Sequence, residues 1–204
     1  TSVARTDGLY KKPRIDMKYI KENNLGDGII CLTACQAGRL SKYLVSGKYD
    51  KAEKFVNDIK NIFDYVVCEL QSHCTEEQAV ANKLIYEFSQ KHNLPYTITT
   101  DAHMLSDALK ESQAMFVEIG EGREVGESYT DCYLQTENEI YEKMSSQFSE
   151  DIIRKGIDET VNITDIVEDI DIGLNKGNIM PRIEIEDGYE SHEEYLRHLV
   201  FSTF

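Results

Sequence analysis

The sequence predicts an α/β fold with parallel strands, followed by a mixed α+β region. Three short runs of apolar and β-branched residues, typical of strands buried on both faces, alternate with segments of helical periodicity. The strands are predicted at 28–33, 65–70 and 96–100. Strand, helix, strand, helix, strand is the order of parallel βα units, so we predict that the three strands form one sheet.

The predicted helices of this first region follow from the spacing of apolar residues and from local start and stop signals. Pro13 suits the first turn of a helix that would end at Asn24. Thr75 opens another helix, and Gln78 three residues later indicates a capping box. The helices are predicted at 13–24, 38–47, 49–63, 75–93 and 106–119.

A change in charge marks the second region. Residues 1–110 carry 15 basic and 14 acidic residues, a net charge of +1, whereas residues 111–204 carry 7 and 23, a net charge of −16. A shift this sharp predicts two structural regions, with the acidic face confined to the second. The second region is predicted to contain a loop with a short extended pair at 120–136, helices at 137–148 and 151–170, a linking segment at 173–188 and a last helix from Ser191.

Composition excludes several classes of protein. The net charge of −15 argues against autonomous DNA binding, and the acidic second region is either a solvated surface or a face that repels DNA. No apolar run approaches the ~20 residues of a membrane span, and the first residues resemble no signal peptide. Five cysteines without a CxxC pair predict a cytoplasmic protein with reduced thiols.

Candidate ligands for a metal ion follow each predicted strand. The loops after parallel strands meet at one end of a sheet, which is where metal and catalytic sites form. Thiolate, imidazole and carboxylate groups together suit zinc, manganese or iron better than magnesium or calcium. Such an ion can lower the pKa of a bound water for phosphoester hydrolysis. The candidates are Cys35, Glu69, His73, Asp101 and His103.

Each candidate also has a structural explanation. Cys35 could be a small buried apolar residue, and Asp101 could cap a turn. Glu69 and His73 could form a hydrogen-bonded pair near the surface. Cys132 shows no ligand spacing with the other cysteines and is not predicted to bind metal.

The order of the motifs resembles a known family. GLYKKPRID, GDGIICLTACQAGRL, CELQSHC and LPYTITTDAHML are similar to the GFYYKPRVD-, LSGCLAGE-, ELQDHG- and TNDAHYL-like stretches of the alpha subunit of bacterial DNA polymerase III. Later segments, such as DCYLQTENEIYEKM and GLNKGNIMPRI, continue the similarity. The resemblance covers nearly the whole chain.

The resemblance implies a fold and a set of ligands. Residues 1–115 would be the C-terminal part of a polymerase-and-histidinol-phosphatase (PHP) domain, a distorted barrel of parallel βα units, and 116–204 a connector leading into the palm. By residue match, Cys35, Asp101 and His103 would be metal ligands, with Glu69 and His73 at the rim of the site. A His-x-His pair and further ligands would precede Thr1, and the magnesium-binding palm aspartates would follow Phe204.

The implied function is that of a replicative DNA polymerase with a metal-dependent 3′–5′ exonuclease or phosphoesterase role in its PHP domain. The chain alone would not polymerise. Partners of the whole protein would be primer-template DNA, deoxynucleotides, a proofreading exonuclease subunit and a sliding clamp, with no membrane. Two alternatives remain open: a stand-alone PHP phosphoesterase, and a metal-free PHP scaffold that docks a proofreading subunit.

Overall fold

The structure is a computed structural model that describes residues 5–6, 8–10, 12–73, 75–121, 131–169, 185 and 188–202. Its strands are β1 (Leu9–Tyr10), β2 (Lys12–Pro13), β3 (Ile30–Leu32), β4 (Tyr65–Gln71) and β5 (Tyr96–Thr99). Its α-helices are α1 (Met17–Glu22), α2 (Arg39–Val45), α3 (Tyr49–Lys60), α4 (Glu76–Lys91), α5 (Lys110–Glu121), α6 (Glu137–Met144), α7 (Glu150–Ile166) and α8 (His192–Ser202).

A three-stranded parallel sheet lies at the centre of the first region. The strand order is β3-β4-β5, and the register pairs Cys31 with Val66 and Glu69 with Thr97. The central strand β4 is buried at five of its seven positions, as its continuous apolar run requires of a strand covered on both faces. The predicted α/β fold with parallel strands is confirmed.

Helices cover this sheet and form its hydrophobic core. Helix α4 packs on β4, α7 packs on β5, and α2 packs against α3 and α4. Gly156 lets α7 approach β5 closely, because a Cβ there would stand 2.7 Å from Cγ1 of Ile98. The fully buried apolar side chains include Leu40, Leu70, Ile85, Ile98, Met144 and Ile153.

Two predicted helix starts differ from the observed ones. Pro13 lies in β2, and α1 begins only after Asp16, whose carboxylate accepts a hydrogen bond from the Tyr19 backbone N–H at 2.7 Å. Thr75 does cap α4 by accepting from the Gln78 backbone N–H at 3.2 Å. The Gln78 side chain does not complete the predicted capping box, because it is buried and donates instead to Asn82 Oδ1 at 2.8 Å.

The chain after β5 is partly as predicted. Ser106 precedes a 3₁₀ turn (Asp107–Leu109) that leads into α5, but its side chain makes no capping bond. Residues 122–130, which include much of the predicted extended pair, lie outside the described residues. The described end of this loop forms an isolated parallel bridge between Met104 and Tyr133. Thr136 and Glu139 then form a complete capping box at the start of α6.

The chain divides into two compact units, Thr1–Val167 and Glu168–Phe204. In the second unit, Ser191 caps α8 by accepting from the Glu194 backbone N–H at 3.2 Å, and most of the predicted linking segment 173–188 lies outside the described residues. A domain boundary between residues 115 and 116 stays a prediction. None of the described helices has the length and hydrophobicity that a membrane span requires.

Candidate metal centre at the carboxyl edge of the sheet

The ends of all three parallel strands meet at one edge of the sheet, as expected from the topology. Thr33, directly after β3, ties its loop to β4. Its backbone N–H donates to the Val67 carbonyl at 3.1 Å, and its hydroxyl accepts from the Glu69 backbone N–H at 3.0 Å. Cys35 follows in the same loop, where its carbonyl accepts from the Gly38 backbone N–H at 2.7 Å.

One group of potential metal ligands lies at this edge. Ligand atoms of His73, Asp101 and Cys132 all stand within 4.8 Å of one another. His73 and Cys132 are 5% and 4% exposed, and Asp101 is half-buried. Among the residues that the structure describes, this is the one group of three or more histidine, cysteine and acidic side chains so close together.

Backbone hydrogen bonds bring Cys132 to the edge. The Cys132 carbonyl accepts from the His103 backbone N–H at 2.8 Å, and the Met104 carbonyl accepts from the Leu134 backbone N–H at 3.1 Å. The segment beginning at Asp131 therefore runs parallel to the residues that follow β5. This isolated bridge lies beside the point where the predicted ligands Asp101 and His103 follow β5.

A chain of side-chain hydrogen bonds holds His73 in place. Its Nε2 lies 3.0 Å from Oε1 of Gln71, and Nε2 of Gln71 donates to Oε1 of Glu69 at 3.1 Å. The same Glu69 oxygen accepts from the Thr99 hydroxyl at 2.7 Å. Gln71 is itself 1% exposed, and its backbone N–H and carbonyl are both bonded to the Asn82 side chain. This side of the cluster is a connected buried network.

Asp101 and His103 lie on the more open side. His103 Nδ1 stands 2.6 Å from the Asp101 carbonyl oxygen and 4.0 Å from Asp101 Oδ1. The two side chains are 31% and 36% exposed. Both therefore face solvent while remaining at the edge of the sheet.

Backbone strain accompanies the candidate ligands. Ala34, Asp101 and Asp131 have positive φ angles of 64°, 47° and 63°. Ala34 directly precedes Cys35, Asp101 is itself a candidate ligand, and Asp131 directly precedes Cys132. Left-handed conformations of residues other than glycine cost about 1–3 kcal/mol each and cluster at functional sites. The position of Ala34 is one where the resembled family carries the glycine of its LSGC-like stretch.

Burial dominates the electrostatics of the cluster. It lowers the pKa of His73, while the nearby carboxylates of Asp101 and Asp131 act in the opposite direction. Burial also raises the pKa of the Cys132 thiol to about 11, with smaller contributions from Asp101, Asp131 and Cys35. Because Cys35 acts on Cys132 in this way, its thiol lies within electrostatic range of the cluster.

The structure treats the predicted residues differently. Asp101 and the rim candidate His73 belong to the three-residue group, whereas Cys35 and His103 lie beside it, and Glu69 supports it through Gln71. Their roles as metal ligands stay predictions. Cys132 was missed because its contact with residues 103–104 is made through the backbone, which leaves no signature in the spacing of cysteines.

The chemistry of the cluster fits a transition-metal ion. Imidazole, carboxylate and thiolate are the donors that zinc, manganese and iron accept in proteins, and catalytic zinc sites commonly have three protein ligands and one open position. The partial exposure of Asp101 and His103 leaves one side of the cluster open to solvent.

Comparison with known proteins agrees with the geometry. Residues 1–73 match the family model of the PHP domain. The chain is 27% identical to the DNA polymerase III subunit alpha of Borreliella burgdorferi over 203 residues, and 27% identical to that of Aquifex aeolicus over 211 residues. Each alignment covers 98% of this chain but only 17% and 18% of the relative.

The resemblance to DNA polymerase III alpha subunits is confirmed. A DNA-directed DNA polymerase of Bacillus phage SPbeta is also 30% identical over 138 residues, covering 66% of this chain and 10% of the relative. The chain thus spans less than a fifth of the length of these curated relatives. The parallel sheet is compatible with part of a PHP (β/α) barrel.

Proposed function

We propose that the chain is a segment of a replicative DNA polymerase alpha subunit and carries a metal-dependent phosphoesterase site of the 3′–5′ exonuclease type. The observation that supports this most directly is the cluster of His73, Asp101 and Cys132 at the carboxyl edge of a parallel sheet. The similarity to polymerase alpha subunits over 98% of the chain supports the assignment to a polymerase.

In this proposal Cys35, Asp101 and His103 are metal ligands, and Glu69 and His73 lie at the rim. These three residues would hold a zinc, manganese or iron ion, which would supply Lewis-acid chemistry for phosphodiester hydrolysis. The protein's part is to hold the ligands at fixed positions and to keep one side of the site open. The buried Gln71 network fixes His73 at the rim of the site, and the exposure of Asp101 and His103 keeps one side open.

The wider assignments follow from the same proposal. The whole protein would act on primer-template DNA and deoxynucleotides in the cytoplasm, with a sliding clamp and a proofreading subunit as partners, and would use magnesium at its polymerase site. Residues 1–115 would belong to the PHP domain and 116–204 to the connector leading into the palm.

Two other functions make different predictions. A stand-alone phosphoesterase would not require similarity to polymerases beyond residues 1–73, whereas the observed similarity spans 98% of the chain. A metal-free scaffold would have no need of three donor side chains within 4.8 Å of one another. Both observations favour the metal-dependent polymerase segment.

Metal content tests the proposal. The full chain, purified and then dialysed with zinc, manganese or iron, is expected to retain metal by elemental analysis, and Cys35→Ala and His103→Ala are expected to retain less. His192→Ala, at the start of α8 in the other compact unit, is the matched control. The ligand assignment would be contradicted if every variant retained as much metal as the parent chain. It would also be contradicted if no preparation, the parent chain included, retained any metal.

Activity assays on the same preparations separate the two reactions. We expect the metal-loaded chain to shorten a 5′-labelled single-stranded oligonucleotide from its 3′ end, with loss of this activity on chelation. Primer extension by the purified chain is not expected, because this proposal assigns only a hydrolytic role to the residues gathered at this edge. Incorporation of nucleotides would contradict that expectation.

A further inference from the structure

We propose that Cys132 and the Nδ1 atom of His73 are direct ligands of the ion that Asp101 holds, so that the segment following residue 130 completes the metal site. This rests on the function proposed above and deepens it. It assigns metal ligation to Cys132, a cysteine that the spacing of residues in the sequence does not predict to be a ligand. It also makes the site depend on a part of the chain that lies beyond the match to the PHP family model, residues 1–73.

The distances between the three proposed ligand side chains are short enough to consider one shared ion. The ligand atoms of His73, Asp101 and Cys132 lie within 4.8 Å of one another. Donor atoms around a tetrahedral ion stand about 3.5 Å apart at bond lengths of ~2.0–2.3 Å. Binding of one ion by all three therefore requires side-chain rotations that bring these donor atoms from separations of up to 4.8 Å to about 3.5 Å.

The second step is the anchoring of Cys132. Its carbonyl accepts from the His103 backbone N–H at 2.8 Å, and the bridge between Met104 and Tyr133 fixes the register of the next residue. On its other side, Gln135 accepts a hydrogen bond from the hydroxyl of Ser72 at 2.8 Å. Ser72 is the neighbour of His73, so this bond ties the Cys132 segment directly to the end of β4.

The third step is the orientation of His73. A carboxylate only accepts hydrogen bonds, so Glu69 requires Gln71 to direct its amide nitrogen toward it. The Gln71 oxygen then faces His73 Nε2 at 3.0 Å and accepts a hydrogen bond from its N–H. The neutral imidazole therefore carries its proton on Nε2, which leaves the lone pair of Nδ1 for a metal ion. Outer hydrogen bonds commonly fix metal-binding histidines in this manner.

The charges of the side chains around Cys132 also suit a bound cation. Asp131 lies next to Cys132, and its carboxylate forms a 2.7 Å ion pair with Lys143 of α6. The ion pair offsets one negative charge beside the cluster. Asp101 and the thiolate of Cys132 then each supply one negative charge to a divalent cation.

Cobalt substitution tests the assignment of Cys132. Co²⁺ bound to a thiolate shows a charge-transfer band in the near ultraviolet whose intensity rises with the number of thiolate ligands. We expect the full chain to show this band, and Cys132→Ser to show a weaker band with Co²⁺ affinity reduced at least ~10-fold. Cys31→Ser, a half-buried thiol on β3 outside the cluster, is the matched control and is expected to keep the full band.

The outcomes distinguish this inference from the proposed function. A band that is lost in Cys35→Ser but unchanged in Cys132→Ser would overturn the inference and leave the proposed site standing. Absence of bound Co²⁺ in the parent chain would overturn both. If Cys132→Ser is poorly folded by circular dichroism, Cys132→Asp, which restores a donor atom, is expected to regain Co²⁺ binding with a weaker band; failure to regain it would count against ligation.

Nuclear magnetic resonance tests the part played by His73. In the full chain labelled with ¹⁵N-histidine and loaded with ¹¹³Cd²⁺, we expect metal coupling to Nδ1 of His73 and a proton on Nε2. Coupling to Nε2, or no coupling while Cd²⁺ is bound, would overturn the assignment. Glu69→Leu, which removes the orienting carboxylate, is expected to change the balance of the two His73 tautomers before metal is added.

Discussion

The two sides of the metal cluster are built in different ways. On the β4 side, His73 is 5% exposed and is held through Gln71 by Glu69 and Asn82, each of which has further hydrogen-bond partners. On the β5 side, Asp101 and His103 are 31% and 36% exposed, and Asp101 has a left-handed backbone. One side is a connected buried network and the other is an open, strained turn.

This difference shows how a site can be both rigid and accessible. Buried hydrogen bonds are costly to leave unmade, so the β4 side keeps one arrangement with or without an ion. The side chains of Asp101 and His103 on the β5 side are 31% and 36% exposed, so they have room to adjust when an ion or a substrate arrives. The segment with Cys132 joins the two sides, since it bonds to His103 on one and to Ser72 on the other.

Removal of Asn82 should have the largest effect, because it breaks the buried side. The Asn82 side chain accepts from the Gln71 backbone N–H at 3.0 Å and donates to the Gln71 carbonyl at 2.8 Å. Asn82→Leu leaves these buried groups without those partners, which should lower the free energy of unfolding by about 3 kcal/mol. Urea denaturation measures this change.

The control for Asn82 is Asn57→Leu, an exposed position on α3. It is expected to change the free energy of unfolding by no more than about 0.5 kcal/mol. Similar losses in the two variants would show that the buried network contributes no more than a surface asparagine.

Gly156→Ala should destabilise the packing of α7 on β5, the strand that leads into the open side of the cluster. The new Cβ would stand 2.7 Å from Cγ1 of Ile98. Ile98 is 2% exposed and lies in β5, three residues before Asp101. Overpacking of this kind costs about 1–3 kcal/mol, and the shift of β5 should also weaken metal binding. Thermal unfolding and Co²⁺ titration measure the two effects.

Gly120→Ala is the matched control in another helix. A Cβ there would meet no atom of the described residues within 4 Å, so the substitution should stabilise α5 by up to about 1 kcal/mol through helix propensity. If Gly156→Ala also stabilised the protein, that result would contradict the close packing of α7 on β5 beneath the open side of the cluster.

Ala34→Gly should relieve strain in the loop that carries Cys35. A left-handed alanine costs about 1–2 kcal/mol, and the added chain entropy of glycine offsets about 0.5–1 kcal/mol of that relief. We expect a net gain of about 0.5–1 kcal/mol in the free energy of unfolding. Ala114→Gly, within α5, should instead lose about 1 kcal/mol; a loss at both positions would contradict the strain at Ala34.

The smallest effect concerns pH and the segment that holds Cys132. Hydrogen bonds from the Thr136 side chain, the Thr136 backbone N–H and then the Tyr133 hydroxyl lower the pKa of Glu139 to about 2 from its usual 4.5. Because the folded value is depressed, the stabilisation is present above about pH 4.5 and is lost as the pH falls toward 2.

Glu139→Gln is therefore expected to flatten the acid limb of the stability profile between those two values. Glu137→Gln, two residues earlier on the exposed start of α6, should leave the limb unchanged. Urea midpoints measured across this pH range would contradict the prediction if both variants followed the parent chain.

Local sequence signals were sufficient for most of the fold. The apolar runs at 28–33, 65–70 and 96–100 became β3, β4 and β5, because strands buried on both faces need continuous apolar residues. Local signals failed where a tertiary partner competed. Gln78 left its capping box for Asn82, and Pro13 joined a short strand pair rather than a helix.

The amino-acid sequence by itself determined the parallel strands and the edge at which polar side chains would gather, since the alternation of strands and helices follows from local periodicity. Only the tertiary structure decided which of these side chains meet. Asp101 joins His73 and Cys132, whereas Cys35 and His103 lie beside that group. The reason is that Cys132 reaches the edge through backbone hydrogen bonds to residues about thirty positions earlier, and such bonds depend on three-dimensional register rather than on residue type.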